Sequence, residues 1–154
     1  MTALPDAPHT SDSQHLIECI FGSWRTQAVG AAIKLGVVDE LQNEPRTADE
    51  IASALSLDAE SLIRLLRALC TLGICREHAG QGFSISERGQ LLTSAGVDGV
   101  SLRSLALWWS GPLWSLWLGL DYSVRTGKSY REKLTGSMPY GHLVWCLKSN
   151  LNYF

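Results

Sequence analysis

A mainly α-helical fold with one small β-hairpin is predicted by three observations. Apolar residues recur at helical spacing in the first third of the chain. Two short helical patterns with clear capping residues follow between Thr47 and Leu72. The segments "ICRE" and "FSIS" then have the length and composition of short strands. Two helices followed by a hairpin have the element order of a winged helix-turn-helix, here with additional long helices on both sides.

Composition sets the broad class of protein. The chain has 154 residues, 45% of them apolar and 18% charged, which suits one domain that buries a core. The formal net charge is −2 and the sequence pI is about 6.1. No overall positive field therefore draws the chain to nucleic acid or to anionic lipid. Partners that are neutral or mixed in charge fit better.

Residues 1–10 predict a disordered arm. They contain two prolines, no lysine or arginine and no apolar run, which is the pattern of neither a signal peptide nor a transit peptide. We therefore expect a cytoplasmic protein. The four cysteines form no C-x-x-C pair, and the four histidines do not lie at ligand spacing beside them. Reduced thiols and no metal site are the prediction.

The first helix is predicted to begin at a capping box, Ser11 to Gln14, and to end before Gly36. Its apolar residues recur at roughly helical spacing: Leu16, Ile20, Trp24, Val29 and Ile33. Gly22 and Gly30 disfavour a helix intrinsically. We therefore expect them to lie against another backbone rather than in water.

The helix-turn-helix has its own capping signals. Thr47 and Glu50 form a capping box for a short helix that runs to Leu55, and Asp58 caps the next helix, which Gly73 ends. One stripe of that helix is built of leucines: Leu62, Leu65, Leu66, Leu69 and Leu72. This stripe predicts the core-facing side of the helix.

Further elements follow the second helix of the helix-turn-helix. The two strands are joined by a glycine-containing turn from His78 to Gly82, and Ser86 caps a short helix through Leu92. Two Trp-rich helices are predicted after it, roughly 101–110 and 112–125, with Gly127 as C-terminal cap.

The charge-free stretch within these helices, residues 104–120, is 17 residues long, whereas about 20 apolar residues span a bilayer. Ser110-Gly111-Pro112 also divides it. A buried helical hairpin is the better interpretation than a membrane span.

The charge of the helix-turn-helix argues against DNA binding. Residues 47–95 contain four arginines and no lysine against six acidic residues. Phosphate neutralisation by basic side chains supplies most nonspecific affinity for DNA. Arg64 and Arg67 lie on the face opposite the leucines, where they either contact bases, face solvent or pair with a neighbouring helix. A winged-helix regulator is therefore the less favoured alternative.

Three segments carry a family resemblance: "FGSWRTQAVGAAIKLGVVDEL", "TADEIASALSLDAESLIRLLRALCTLGI" and "FSISERGQLL". They resemble the N-terminal dimerisation domain of small-molecule O-methyltransferases, the class of the hydroxyindole and caffeic acid enzymes. The resemblance covers about residues 21–143. It implies a winged-helix domain in which long helices of two subunits intertwine and one subunit helps to wall the other's substrate pocket.

The resemblance suggests two functional sites, a dimer interface and a ligand-binding wall. A homodimer interface is predicted on the first helix, at Leu16, Ile20 and Trp24. A wall for an aromatic ligand is predicted at Trp108, Trp109 and Trp114. The alternative for these tryptophans is an ordinary place in the core.

The cofactor of that family, S-adenosylmethionine, needs a glycine-rich turn between a strand and a helix, an acidic residue for the ribose and a base for the hydroxyl proton. Among fourteen glycines only Gly80 and Gly82 form G-x-G, and they lie between hairpin strands. No alternation of strands and helices follows residue 130. We expect no cofactor site in this chain, because the catalytic domain is absent, and no methyl transfer by this chain alone.

Residues 144–154, "VWCLKSNLNYF", form an atypical tail after the dimerisation domain at 11–143. The hypothesis from this departure is that a reading frame or gene was truncated near Leu143. Two alternatives remain: a partner subunit for a full-length or separately encoded methyltransferase, and a binder of aromatic ligands.

Overall fold

The computed structural model describes residues 9–135, with side chains from 12 to 134. The described part is mainly helical with one small antiparallel sheet, as the sequence predicts. In chain order its elements are α1 (His9–Lys34), α2 (Val37–Glu40), α3 (Ala48–Leu55), α4 (Ala59–Thr71), β1 (Cys75–His78), β2 (Gly82–Ile85), α5 (Glu87–Gln90), α6 (Arg103–Ser110), α7 (Pro112–Trp117), α8 (Leu120–Thr126) and α9 (Tyr130–Thr135). Residues 1–8 of the predicted arm and the tail at 144–154 lie outside the described residues, whereas His9 and Thr10, which the sequence predicts to belong to the arm, are helical.

The first helix starts earlier than the sequence predicts. His9 and Thr10 are already helical, so Ser11 lies inside α1 and the predicted cap there is wrong. A capping-box pattern is a local signal, and a helical residue at its first position cannot act as the cap. The other end matches the prediction, because α1 ends at Lys34 and Gly36 adopts a left-handed φ of 77° before α2.

The capping residues of the helix-turn-helix are confirmed. The hydroxyl of Thr47 accepts a hydrogen bond from the Glu50 backbone N–H at 3.3 Å, while the Thr47 N–H donates to the Glu50 carboxylate at 2.7 Å. Asp58 accepts from the Ser61 N–H at 2.8 Å. The leucine stripe of α4 is also confirmed, with Leu62, Leu66 and Leu69 buried and Leu65 and Leu72 half-buried.

The hairpin is tied to the loop that precedes α3. Its register pairs Cys75 with Ile85 and His78 with Gly82. Arg46, which lies outside the two strands, pairs with Phe83 of β2: the Arg46 N–H donates to Phe83 O at 2.9 Å and the Phe83 N–H donates to Arg46 O at 2.7 Å. A side chain at position 82 would overlap the backbone at Arg46, so this close approach requires glycine.

The core lies where the second half of α1 meets α2, α3, α4 and the hairpin. Its buried apolar residues are Ala32, Ile33, Val37, Val38, Leu41, Ile51, Ala52, Leu62, Leu66, Leu69, Ile74, Cys75 and Phe83. Burial of a large apolar side chain stabilises a fold by about 1.5–3 kcal/mol. The helix-turn-helix is therefore held on α1 by ordinary apolar packing.

The second Trp-rich helix is broken where the sequence predicts continuity. Helix α7 ends at Trp117 and α8 begins at Leu120. Gly119 is buried at the break, and the ring of Tyr130 occupies the place of its missing side chain. Gly127 ends α8 with a φ of 67°, as predicted. Within residues 9–135 no helix is both long and apolar enough to cross a membrane.

Candidate functional site

A face of large apolar side chains is exposed on the first half of α1. We call it the N-terminal face; it consists of Leu16, Ile17, Ile20, Phe21 and Trp24, which are 38–69% exposed. At about 100° per residue these positions cover an arc of roughly 140°. No side chain from 12 to 29 is buried. The N-terminal face therefore has no substantial cover from the described part of its own chain.

An apolar groove begins where this face ends. Its volume is about 560 Å³. Its walls come from α1, from the turn after α4, from the segment around α5 and from α6; the lining residues are Arg25, Thr26, Val29, Leu72, Ile74, Arg88, Leu91, Leu92, Leu102, Leu105, Ala106 and Trp109. Pockets of this size and lining hold small organic molecules in many proteins.

Among the described residues, the charged groups that line the apolar groove are the guanidinium groups of Arg25 and Arg88. Arg88 Nη1 donates to Leu72 O at 3.2 Å, which holds this side chain across the end of α4. Arg25 extends from α1 and is exposed. The groove can therefore cover a flat apolar body and offer hydrogen-bond donors to an anionic substituent.

Polar contacts hold α6, which forms one wall, against α1 and α2. Arg103 Nη1 lies 2.9 Å from Asp39 Oδ2, and Asp39 also accepts from the Ser94 N–H at 3.2 Å. At the other end of α6, Gln27 Nε2 donates to Ser110 O at 3.1 Å. These contacts hold both ends of this wall against α1 and α2.

The three tryptophans predicted as a ligand wall occupy different places. Trp109 lines the apolar groove, and Trp108 lies beside it with ring centroids 6.2 Å apart and planes at 76°. Trp108 Nε1 is buried without a hydrogen-bond partner. Trp114 is half-buried and does not line the groove. Trp117, which was not predicted, lies 6.5 Å from Trp109.

The predicted interface residues lie close together in the sequence, whereas the residues of the groove do not. Leu16, Ile20 and Trp24 share the N-terminal face, and Ile17 and Phe21 extend it. The groove residues are separated by up to eighty-four positions, from Arg25 to Trp109. Only the packing of α6 on α1 brings those two together, and no local pattern encodes it.

The outward arginines of α4 are surface groups. Arg64 Nη2 donates to Ser61 Oγ at 3.0 Å on its own helix. Arg67 lies 3.6 Å from the Glu77 carboxylate on β1, and both side chains are largely exposed. An ion pair with the hairpin, rather than with a helix, is the arrangement that the structure shows for Arg67.

Among the described residues, those that line the apolar groove include no carboxylate that could accept hydrogen bonds from the ribose hydroxyls of S-adenosylmethionine. Gly80 and Gly82 form a hairpin turn with φ of 72° and 95°, not a turn between a strand and a helix. Within the same described part, no group of three or more histidine, cysteine or acidic side chains is arranged to hold a metal ion.

The arrangement of α1, the helix-turn-helix, the hairpin and α5 defines the class of the chain. Residues 17–95, about half of the chain, match the O-methyltransferase dimerisation domain. The chain belongs to this family.

Named relatives agree with that assignment. The phenazine O-methyltransferase PhzM of Lysobacter antibioticus is 30% identical over 132 residues, which are 86% of this chain and 38% of the relative. The 3-amino-4-hydroxybenzoate 4-O-methyltransferase of Streptomyces cremeus is 32% identical over 138 residues, 89% of this chain and 37% of the relative. A crystal structure of LaPhzM superposes with a TM-score of 0.80 at 28% identity, covering 92% of this chain and 42% of that chain. This chain thus spans less than two fifths of the length of these two curated relatives.

Proposed function

We propose that this chain forms a homodimer through the N-terminal face. The single observation that carries the proposal is the exposure of five large apolar side chains on one arc of α1. An exposed apolar patch of this kind marks an interaction surface in soluble proteins. Because the same face is present on each copy, a two-fold arrangement lets the two faces cover each other. Membership of a dimerisation-domain family supports a second copy of this chain as the partner.

Light scattering on the full chain, combined with size exclusion, tests the dimer. Ile20→Asp and Trp24→Asp each place a carboxylate in the proposed interface, where it would lose its water without gaining a partner. We expect both variants to elute as monomers in which the helix-turn-helix stays folded, with cooperative thermal unfolding followed by circular dichroism as the check. Val124→Asp is the matched control, because Val124 is an exposed apolar residue on α8 outside the N-terminal face. Dimers of unchanged affinity for Ile20→Asp and Trp24→Asp would overturn the proposal.

The second part of the proposal concerns the apolar groove. We propose that it walls an aromatic substrate of an O-methyltransferase, with Trp109 beside the ring and Arg25 or Arg88 toward an anionic substituent. The groove volume and lining support this role, as do relatives that act on phenazine and on 3-amino-4-hydroxybenzoate by name. Stacking on an aromatic side chain contributes about 0.5–1.5 kcal/mol beyond area burial.

Isothermal titration with 3-amino-4-hydroxybenzoate as the probe tests the groove. Leu105→Glu should abolish the heat of binding, since it places a carboxylate in the lining beside the probe's own carboxylate. Trp114→Leu is the control, because Trp114 is a large aromatic residue of the neighbouring helix that does not line the groove. Equal binding by the two variants would remove the groove from the proposal.

The proposal includes no methyl transfer by these 154 residues on their own. Their only G-x-G lies in a hairpin turn, and among the described residues no carboxylate lines the apolar groove. Catalysis would need an S-adenosylmethionine-binding domain, in the same polypeptide or in another, which supplies the methyl group. A cytoplasmic location without nucleic-acid, membrane or metal partners belongs to the same proposal. Retention of duplex DNA in a gel shift at low salt would contradict its nucleic-acid part.

A further inference from the structure

Cys70, near the end of α4, and Cys75, the first residue of β1, lie side by side. Cys70 Sγ is 3.3 Å from Cys75 Sγ. A left-handed turn at Gly73, with φ 69°, returns the chain so closely that the Gly73 N–H donates to Cys70 O and the Ile74 N–H donates to Leu69 O, each at 2.9 Å. The two sulfur atoms need to approach by only about 1.3 Å to reach bonding distance.

The two thiols differ in access. Cys75 is 3% exposed, and its thiol lies 3.3 Å from Leu66 O. Burial, with the neighbouring Cys70, raises the pKa of the Cys75 thiol well above its ordinary value. Cys70 and Cys75 both line an open cleft of about 410 Å³ with Arg76, Glu87 and Arg88, but Cys70 is half-buried whereas Cys75 is almost fully buried. A reagent in the cleft therefore meets Cys70 first.

The surroundings favour a sulfur–sulfur bond over a metal. Cys70 and Cys75 have no third histidine, cysteine or acidic ligand arranged with them among the described residues. Structural zinc sites need four ligands. Arg76 and Arg88, in contrast, suit a reagent that carries carboxylates.

We propose that Cys70 and Cys75 are a modification site that forms a reversible disulfide by exchange with an anionic low-molecular-weight disulfide. The Cys70 thiolate attacks one sulfur of the reagent, the reagent's S–S bond breaks, and one thiolate leaves. The Cys75 thiol then attacks Cys70 Sγ as its proton passes to the second thiolate, which leaves as a thiol. The two cysteines lose two electrons and two protons, and the reagent becomes two thiols.

The bond would act on the apolar groove. Leu72 and Ile74 lie between the two cysteines in sequence, and both line the groove. Cross-linking Cys70 to Cys75 closes a short loop around them and restricts that wall. This consequence rests on the proposed ligand role of the groove, whereas the disulfide itself does not.

Oxidised glutathione is the probe for the test, applied to the full chain carrying Cys19→Ser and Cys146→Ser. We expect loss of both remaining thiols toward alkylation, a peptide map that joins Cys70 to Cys75, and full recovery with a reductant. Cys75→Ser in the same background should stop at a stable glutathione adduct on Cys70. Cys70→Ser should leave Cys75 unmodified, because Cys75 is buried.

The same experiment separates the two proposals. A persistent glutathione adduct on Cys70 while Cys75 is present, or no reaction at all, would overturn the disulfide. If the disulfide forms but the affinity for 3-amino-4-hydroxybenzoate is the same in both redox states, only its effect on the groove fails. Absence of probe binding in either state would instead count against the proposed function of the groove.

Discussion

Gly30 of α1 lies directly against the side chain of Ser110 at the end of α6. A β-carbon at position 30 would overlap Ser110 Oγ and Cβ. Gly30 is buried, and the Ser110 hydroxyl is buried without a hydrogen-bond partner. This contact between α1 and α6 therefore depends on the absence of a side chain at position 30 and on the small size of the Ser110 side chain.

Gly30→Ala should destabilise the fold by about 2–3 kcal/mol, since the added methyl group forces α6 away from α1. Adding Ser110→Gly should restore at least half of that loss, because it removes the atoms that the methyl group meets. Gly22→Ala is the control in the same helix, with no described atom within 4 Å of the added carbon. It should be neutral or stabilising by up to about 1 kcal/mol. Urea unfolding at one protein concentration measures all four proteins, and equal losses for Gly22→Ala and Gly30→Ala would refute the packing argument.

The ion pair that holds α6 should contribute more than the ion pair on the surface. Arg103→Met leaves the Asp39 carboxylate half-buried with weaker partners, and we expect a loss of about 1–3 kcal/mol. Arg67→Met removes a largely exposed pair at 3.6 Å and should cost about 0–1 kcal/mol. Chemical denaturation of both variants gives the comparison. A larger loss for Arg67→Met would show that exposure does not decide between the two pairs.

The two helix caps should make stability fall in acid. The pKa of Glu50 is lowered, first by the Thr47 backbone N–H and then by the Thr47 hydroxyl. The pKa of Asp58 is lowered by hydrogen bonds from the hydroxyl and the backbone N–H of Ser61. Because each folded-state pKa lies below its unfolded value, each contribution is complete above the unfolded pKa and is lost as the pH falls through the folded pKa.

Unfolding midpoints measured from neutral pH down through the carboxyl range test this. Glu50→Gln combined with Asp58→Asn should lower stability at neutral pH and flatten its dependence on pH. Glu44→Gln is the control, because Glu44 is an exposed glutamate in the loop before α3. This variant retains both caps and should therefore retain the dependence of stability on pH that the caps produce. If the stability of the double variant depends on pH as steeply as that of the wild type, the caps are not the source of the pH dependence.

The break between α7 and α8 gives a local prediction. Gly119→Ala would drive a methyl group into the Tyr130 ring, so α9 must move away from α8. Hydrogen exchange in α9 should accelerate strongly, while the core helices α3 and α4 keep their protection. Gly127→Ala has open space around the added carbon and differs only in its left-handed φ of 67°. Gly127→Ala should change hydrogen exchange at the end of α8 and leave the contact between Gly119 and Tyr130 intact.

The parts of the fold that local chemistry specifies could be predicted from the sequence. Thr47, Glu50 and Asp58 cap the helices that they were expected to cap, because a cap needs only residues within one turn. The leucine stripe of α4 is buried because a 3.6-residue period places its members on one side.

The features that could not be predicted from the sequence depend on residues that are distant in the chain. Apolar residues recur at helical spacing through Leu116, Leu120 and Val124. Nevertheless α7 ends at Trp117 and α8 begins at Leu120, and the ring of Tyr130 fills the space beside Gly119 at the break. The groove likewise depends on contacts between α1 and α6, whose groove-lining residues are more than seventy positions apart in the chain. Residues that are distant in the chain leave no periodic signal, so neither feature could be derived from spacing.

The division of α1 into a buried second half and an exposed first half has a thermodynamic consequence. A helical segment of about a dozen residues is only marginally stable in water by itself. If the proposed dimer covers this segment, folding of the segment and association of the chains are one equilibrium governed by mass action. Helix content and the thermal midpoint should then rise with protein concentration. Dilution would unwind the start of α1 while the helix-turn-helix beside it remains folded.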